Sequence, residues 1–247
     1  MSLSQKKNGT RRKAESESVP AERGTTHNLQ GQRLGRKGQA TREGILTAAL
    51  RIIEAPGDVP LTMSGVAREV AVTMTTLYIY FPDLGELVLA VLDRVMHDAD
   101  AAYLDRLRKK WPDETLGEHC LEFLRGHLVF WRQHARILQM RNGYADTGDV
   151  RFLNYRNRVT TPVIELLVRQ MDARMDSVDM AEVHLATVLV IGFERMATVT
   201  TNPVFHVAAR AQGVQDRAAY IDRLIETEAD MMAVMIRRQR GMVGRRV

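Results

Sequence analysis

Three histidines are the first residues whose spacing suggests chemistry. His119, His127 and His134 stand eight and seven residues apart in an apolar-periodic stretch, so on a helix they share a broad face. A zinc site needs imidazole, thiolate or carboxylate ligands converging at short fixed intervals. No acidic or cysteine partner stands at those intervals, and no metal is expected. The segment GQRLGRKG (31–38) would cradle a phosphate only after a β-strand, and no strand pattern precedes it. No nucleophile–base arrangement stands out either. The expectation is a protein that is not an enzyme and carries no cofactor.

Charge is the stronger signal. Residues 1–38 hold nine basic side chains, the last three being Arg33, Arg36 and Lys37, against three acidic ones, a net of +6. The whole chain is only +5, and five arginines fall in the last eleven residues, so everything between the tails sums to −6. Both tails are poor in large apolar residues and are expected to be disordered. They serve solubility or contact with a polyanion. The single cysteine, Cys120, excludes an internal disulfide and fits a reducing cytoplasm. The first forty residues lack the apolar run of a signal peptide. The most apolar stretch, 183–199, contains His184, Glu194 and Arg195, and reads as a buried helix rather than a membrane span.

The elements that must position these groups are helical almost throughout. Thr41 is placed to cap a first helix carrying Ile45, Ala48, Ala49, Ile52 and Ile53, which the APGDVP loop (55–60) breaks. Thr62 can cap a short second helix. After Asp83 comes an amphipathic run of about 25 residues, stopped at Trp111-Pro112. Asp113 starts another helix, and a further one ends near Asn142-Gly143. Segments follow at 149–158 and 161–175, the second with Pro162 at its first position. A very apolar helix runs from Asp179 to about Thr200, closed by Asn202-Pro203, and a last one spans about 215–238. There is no internal repeat and no strand pair. The fold expected is all-α.

One stretch resists this pattern. Residues 72–83, VTMTTLYIYFPD, alternate like a β-strand and are rich in strand-favouring types. A lone strand has no partner for its backbone, however, and helices flank it on both sides. As a short helix capped by Thr73 it places Leu77 and Phe81 on one face. A helix over 62–69, a turn at Val70-Ala71-Val72 and a second helix over 73–80 then form a helix-turn-helix, with Val66, Val72 and Leu77 as buried contacts and 41–54 closing a three-helix core.

The residues TREGILTAALRIIEA, LTMSGVAREVAVTMTTLYIYFPDLGEL and a following VL resemble the N-terminal domain of the TetR family of bacterial transcriptional regulators over roughly residues 40–92. The resemblance implies four parts. Residues 1–38 form a basic arm, 39–83 a helix-turn-helix DNA-binding domain, 84–240 a helical ligand-sensing and dimerisation domain, and 241–247 a basic tail. It implies that Met74, Thr75 and Thr76 face base edges in the major groove, where hydroxyls can donate or accept and methyl groups pack on thymine. Thr73 then lies near the DNA backbone, Tyr78 and Tyr80 offer hydroxyls to phosphates, and Thr62, Met63 and Ser64 approach phosphate at a helix N-terminus.

Two departures stand out. Ala71 occupies a turn position where the family often has glycine, and Leu84 a place where it usually has lysine. From 39 to 84 three arginines face five acidic residues, a net of −2. The arm, with Arg33, Arg36 and Lys37 nearest the duplex, is expected to supply the missing phosphate attraction.

The C-terminal half is then expected to hold a small, largely apolar effector among Phe123, His127, Phe130, Trp131, Met140, Tyr144, Phe152, Tyr155, Met171, Phe193 and Glu194. Homodimerisation is expected through helices at about 180–200 and 215–238, giving a four-helix bundle, a near-palindromic double-stranded operator, and release when ligand shifts the helix at 84–109. No membrane partner is expected. The alternative class is a helical oligomeric small-molecule-binding protein that no longer reads DNA, which the acidic motif domain keeps open.

Overall fold

The computed structural model describes residues 33–57, 59–172 and 180–243, and over these the regular elements are helices. α1 spans Arg36–Glu54 and buries Ile45, Leu46, Ala48, Ala49 and Ile53. It starts five residues before the expected cap. Thr41 lies inside it and its hydroxyl donates to the Lys37 carbonyl at 3.0 Å, because Gly35 already supplies the extended residue at the helix start. Arg36 and Lys37 are therefore helical and not part of a free arm; residues 1–32 lie outside the described region.

α2 (Met63–Val70) and α3 (Met74–Tyr80) form the helix-turn-helix. Each is started by a threonine whose hydroxyl accepts a backbone N–H, Thr62 from Gly65 at 3.0 Å and Thr73 from Thr76 at 3.1 Å. α3 is helical despite its β-branched and aromatic residues, since a helix this short depends on tertiary packing: Leu77 is fully buried and Phe81 is 3% exposed. Val66 is buried as expected, while Val72 is only half-buried. Ala71 turns the chain with φ of 57°, the left-handed region, and its N–H closes onto the Ala67 and Arg68 carbonyls.

α4 (Leu84–His97) is capped by Asp83 and sends Leu87, Val88, Val91, Leu92 and Val95 inward. The expected long helix does continue, but through a π-helical turn (Asp100–Leu104) into α5 (Asp105–Arg108). Gly126 of the next helix abuts that turn: a Cβ there would stand 2.9 Å from the Ala102 carbonyl oxygen.

α6 (Leu116–Gln133), α7 (Ala135–Asp146) and α8 (Val150–Gln170) follow. α6 begins after Thr115 rather than at Asp113, and Asn142-Gly143 does not end α7, which runs to Asp146. α8 is one helix where two were expected, with Pro162 inside it rather than at a first position. The hydroxyls of Thr160 and Thr161 bond back to the Arg156 and Asn157 carbonyls at 2.9 and 2.8 Å beside the proline, and Val163, Leu166 and Leu167 stay buried.

α9 (Met180–Thr200) is apolar and long enough to cross a membrane by length and composition, but it packs against α6, α8 and α11. It is buried on one side only, through Ala186, Leu189, Val190, Phe193 and Ala197. Asn202-Pro203 does not merely close α9. Asn202 caps a further helix, α10 (Pro203–Ala211), before α11 (Arg217–Val243). The expected end of the second 161–175 segment, the start at Asp179 and the tail residues 244–247 fall outside the described region. Buried apolar residues form one continuous cluster from Ile45 and Leu77 through α4 to Phe123 and Phe193. The helix-turn-helix is thus joined to the larger helical body by shared packing.

Candidate functional site

α3 divides by burial into two faces. Leu77 and, just beyond the helix, Phe81 anchor it, while Thr75, Tyr78 (47% exposed) and Ile79 (38%) face outward. Ile79 is an addition to the expected set; helical spacing from Leu77 puts it on the outer face. Thr73 is exposed, but its hydroxyl is committed to the Thr76 N–H and lies 2.9 Å from the Thr76 hydroxyl. Thr76 and Tyr80 are half-buried, and Met74 packs on the core. Thr75 and Tyr78 therefore remain as the polar side chains of α3 that face outward with no hydrogen-bond partner among the described residues.

At the start of α2, Thr62 and Ser64 are exposed with hydroxyls 3.3 Å apart, and Met63 packs inward. Arg33 is exposed just before α1, and Arg36 and Lys37 are exposed on its first turn, which carries no acidic residue. A Cβ on Gly38 would stand 3.6 Å from the Tyr80 hydroxyl, so this basic end of α1 adjoins the end of α3. Two of the three arginines within 39–84 are engaged by other side chains, one buried and one on the surface. Arg42 is 8% exposed, with its guanidinium carbon 5.3 Å from the Phe81 ring centroid, and burial lowers its pKa. Arg51 pairs with Glu69 at 2.8 Å, leaving Arg68 exposed. Among the described residues of this unit, the cations available to a polyanion thus stand at the α1 end and at Arg68 on α2, and none stands on α3.

The expected effector lining splits. His127, Phe130, Trp131, Phe193 and Glu194 surround one enclosed void between α6, α7, α8 and α9, joined by Tyr103 and Arg141, which sequence reading missed. That void is about 10 Å³, too small for an effector, because the rings fill it: His127 lies 4.7 Å and Phe123 5.5 Å from Phe193, both edge-on. The other aromatic residues lie elsewhere. Tyr144 stacks on Phe152 at 4.5 Å, Tyr155 sits under the Arg158 guanidinium at 4.8 Å, Met171 caps α8, and Met140 packs half-buried on the core.

Next to this void lies an open cleft of about 440 Å³ between α7, α8 and α9. Its wall is mixed where an apolar cavity was expected: Asn142, Asn157, Thr160, Thr187 and Thr198 line it beside Val190, Ile164 and Ile191. Glu194 belongs to both spaces. Its carboxylate accepts from Arg141 Nη2 at 3.4 Å, and Asn142 donates to the Thr198 hydroxyl at 3.3 Å. Arg141 escapes a sequence reading because arginine is ordinarily a surface residue. His127, buried beside it, has its pKa pushed down to about 3, by desolvation first and by the Arg141 charge second. His119 stacks on Trp111 and His134 lies 3.2 Å from Glu54, so the three histidines do not converge. Among the described residues no group of metal-binding side chains forms.

No protein-family model matches the chain, and no curated protein matches it. Among solved structures, it is similar to a TetR-family transcriptional regulator from Streptomyces coelicolor, at 17% identity and a TM-score of 0.57, covering 83% of this chain and 90% of that one. A TetR-like transcriptional regulator from Rhodococcus sp. RHA1 aligns at 20% identity and a TM-score of 0.47, covering 80% and 96%. The first of these, extending over most of both chains and joined to the helix-turn-helix described above, identifies the fold as TetR-like.

Proposed function

We propose that the protein is a DNA-binding transcriptional regulator, a repressor released by a small effector, acting in the cytoplasm. The observation that carries this is α3 itself, a capped helix of the helix-turn-helix that turns Thr75, Tyr78 and Ile79 outward from a buried Leu77–Phe81 anchor. Thr75, with Met74 and Thr76 at its flanks, reads base edges; Thr73, Tyr78 and Tyr80 lie along the backbone, with Thr62, Met63 and Ser64 at the α2 end. Arg33, Arg36 and Lys37 add phosphate attraction at the α1 end, and the residues before them extend it as an arm. The boundaries that follow are an arm up to the start of α1, a DNA-binding unit through Asp83, a sensing and dimerising body from α4 to α11, and a short basic tail.

α9 and α11 supply the dimer surface. Met180, Val188 and Ile191 on α9 and Met231 and Val234 on α11 are each at least half exposed, an apolar area a lone chain would leave in water. Two such pairs make a four-helix bundle, and two recognition helices about 34–36 Å apart require a near-palindromic operator. The effector enters the helical body, with Glu194 at the border between cleft and aromatic void, and shifts α4.

The test is fluorescence anisotropy with DNA from around the protein's own gene. Specific binding that a scrambled duplex does not compete supports the reading. A second reading, a helical oligomeric binding protein that does not read DNA, is favoured by one observation: α3 carries no basic residue and residues 39–84 are net acidic. Absence of any specific complex at low salt decides for it.

A further inference from the structure

We propose that the cleft between α7, α8 and α9 takes a small organic carboxylate whose acid group replaces Glu194 as the partner of Arg141. The inference rests on the reading of the helical body as effector-binding and assigns the chemical class.

Arg141 is 1% exposed and cannot leave the interior. Its Nε donates to Asn142 Oδ1 at 3.1 Å, its Nη2 to Glu194 at 3.4 Å, and its guanidinium carbon lies 5.5 Å from the Trp131 ring centroid. A guanidinium offers five N–H donors, and a well-made charged hydrogen bond to a carboxylate settles at about 2.7–2.9 Å. The Glu194 contact is slack by that measure and leaves donors to spare.

The two partners differ in freedom. The Glu194 side chain is 20% exposed and stands in the cleft wall, so it can turn outward into water. Stripping a buried guanidinium of its counter-ion is strongly unfavourable, whereas exchanging one carboxylate for another preserves the balance. A neutral amide cannot make that exchange. An ammonium in the cleft would have to sit beside Arg156 and Arg195, with Arg141 behind Glu194, and only Glu194 and Asp146 oppose these charges, Asp146 being already taken by Arg156 at 2.8 Å. The asparagine and threonine side chains of the wall suit further polar atoms on such a ligand, and about 440 Å³ is the size of an ordinary small-molecule site.

The test uses the full-length protein without DNA, so that a failure of operator binding and a failure of this assignment are separate results. Benzoate, phenylbutyrate and octanoate are each compared with the matching carboxamide and primary amine, by thermal shift and by tryptophan fluorescence. At least one carboxylate is expected to bind where its amide and amine do not. In Glu194→Gln that carboxylate is expected to bind about tenfold more tightly, the order for removing a competing charged partner. Arg141→Gln abolishes binding if it folds, and Glu194→Gln decides the matter if it does not. Equal binding of acid, amide and amine, no binding of any acid at millimolar concentration, or weaker binding by Glu194→Gln overturns the proposal.

Discussion

Arg151, in the first turn of α8, reaches back to Asp83, the cap of α4, with its Nη1 2.9 Å from the carboxylate. The same guanidinium holds Glu86 at 3.1 Å and Asp149 at 2.9 Å. Gly85 makes room for it, since a Cβ there would stand 2.6 Å from Nη2. Burial works against ionisation of Asp83, but the Glu86 N–H and Arg151 outweigh it and hold its carboxyl below the usual range. α7 grips the other side of the helix-turn-helix: Arg136 donates to the Ala55 and Val59 carbonyls at 2.7 and 3.2 Å, and His134 meets Glu54. Two of the three helices that line the cleft, α7 and α8, therefore hold the helix-turn-helix unit by their N-terminal ends.

Replacing Arg151 by methionine should uncouple these parts without unfolding them, since Asp83, Glu86 and Asp149 all stay in contact with water. The expected outcome is an effector-induced change in operator affinity reduced by about 0.5–2 kcal/mol, the range for residues that transmit rather than bind. Anisotropy titrations with and without effector check it. Unchanged coupling would show that α8 does not act through Asp83.

Ala71→Gly should stabilise the protein. Ala71 sits at φ of 57°, where a Cβ is strained by about 1–2 kcal/mol, and glycine gives back part of that gain as lost chain entropy. A net of about 0.5–1 kcal/mol, or a Tm rise of about 2–3 °C, is expected in a chain of this size. Calorimetry checks it, with Ala71→Val expected to lower Tm.

Thr73→Ala and Thr75→Ala should separate stability from recognition. Thr73 caps α3, so its loss is expected to cost about 1 kcal/mol of stability. Thr75 has no such bond and should leave Tm unchanged while weakening operator binding by about 1–3 kcal/mol if it reads a base edge. Tyr78→Phe should weaken operator and scrambled DNA alike.

Removing residues 1–32 leaves α1 whole, because the helix starts at Arg36. If the basic segment meets phosphates, the slope of log affinity against log salt should fall by about 0.9 for each phosphate it neutralises. A truncated protein with the full-length slope would assign the attraction to Arg33, Arg36 and Lys37 alone.

His127 predicts a pH effect with a definite sign. Its folded pKa, about 3, lies below the unfolded value of 6.5, so the unfolded chain binds the extra proton. Its contribution is complete above the unfolded value and is lost as pH falls through the window between the two, by roughly 2 kcal/mol from about pH 7 to pH 5. Thermal melts of the wild type and His127→Leu at both pH values check it: the substituted protein should lose less on acidification.

Much of this molecule was written in local pattern. Helical periodicity with threonine and aspartate caps located α2, α3 and α4, and Leu77 with Phe81 marked the inner face of α3, because caps and burial spacing act over a few residues. The same local signals misplaced other boundaries. Thr41 looks like a cap but lies inside α1, Pro162 looks like a start but lies within α8, and Asn202-Pro203 looks like an end but opens α10; in each case packing outside the local window decided.

The division between what sequence and tertiary structure determined is clearest around Arg141. The sequence by itself determined an all-α chain with a helix-turn-helix and aromatic residues spread through the helices that follow it. Only the tertiary structure decided that those rings close on one another, leaving about 10 Å³ among them. It also decided that a buried arginine faces Glu194 across 53 residues at the edge of an open cleft. Side-chain type and periodicity report which face turns inward. How tightly opposing faces meet, and which distant charges they trap between them, depends on the shape of the whole core.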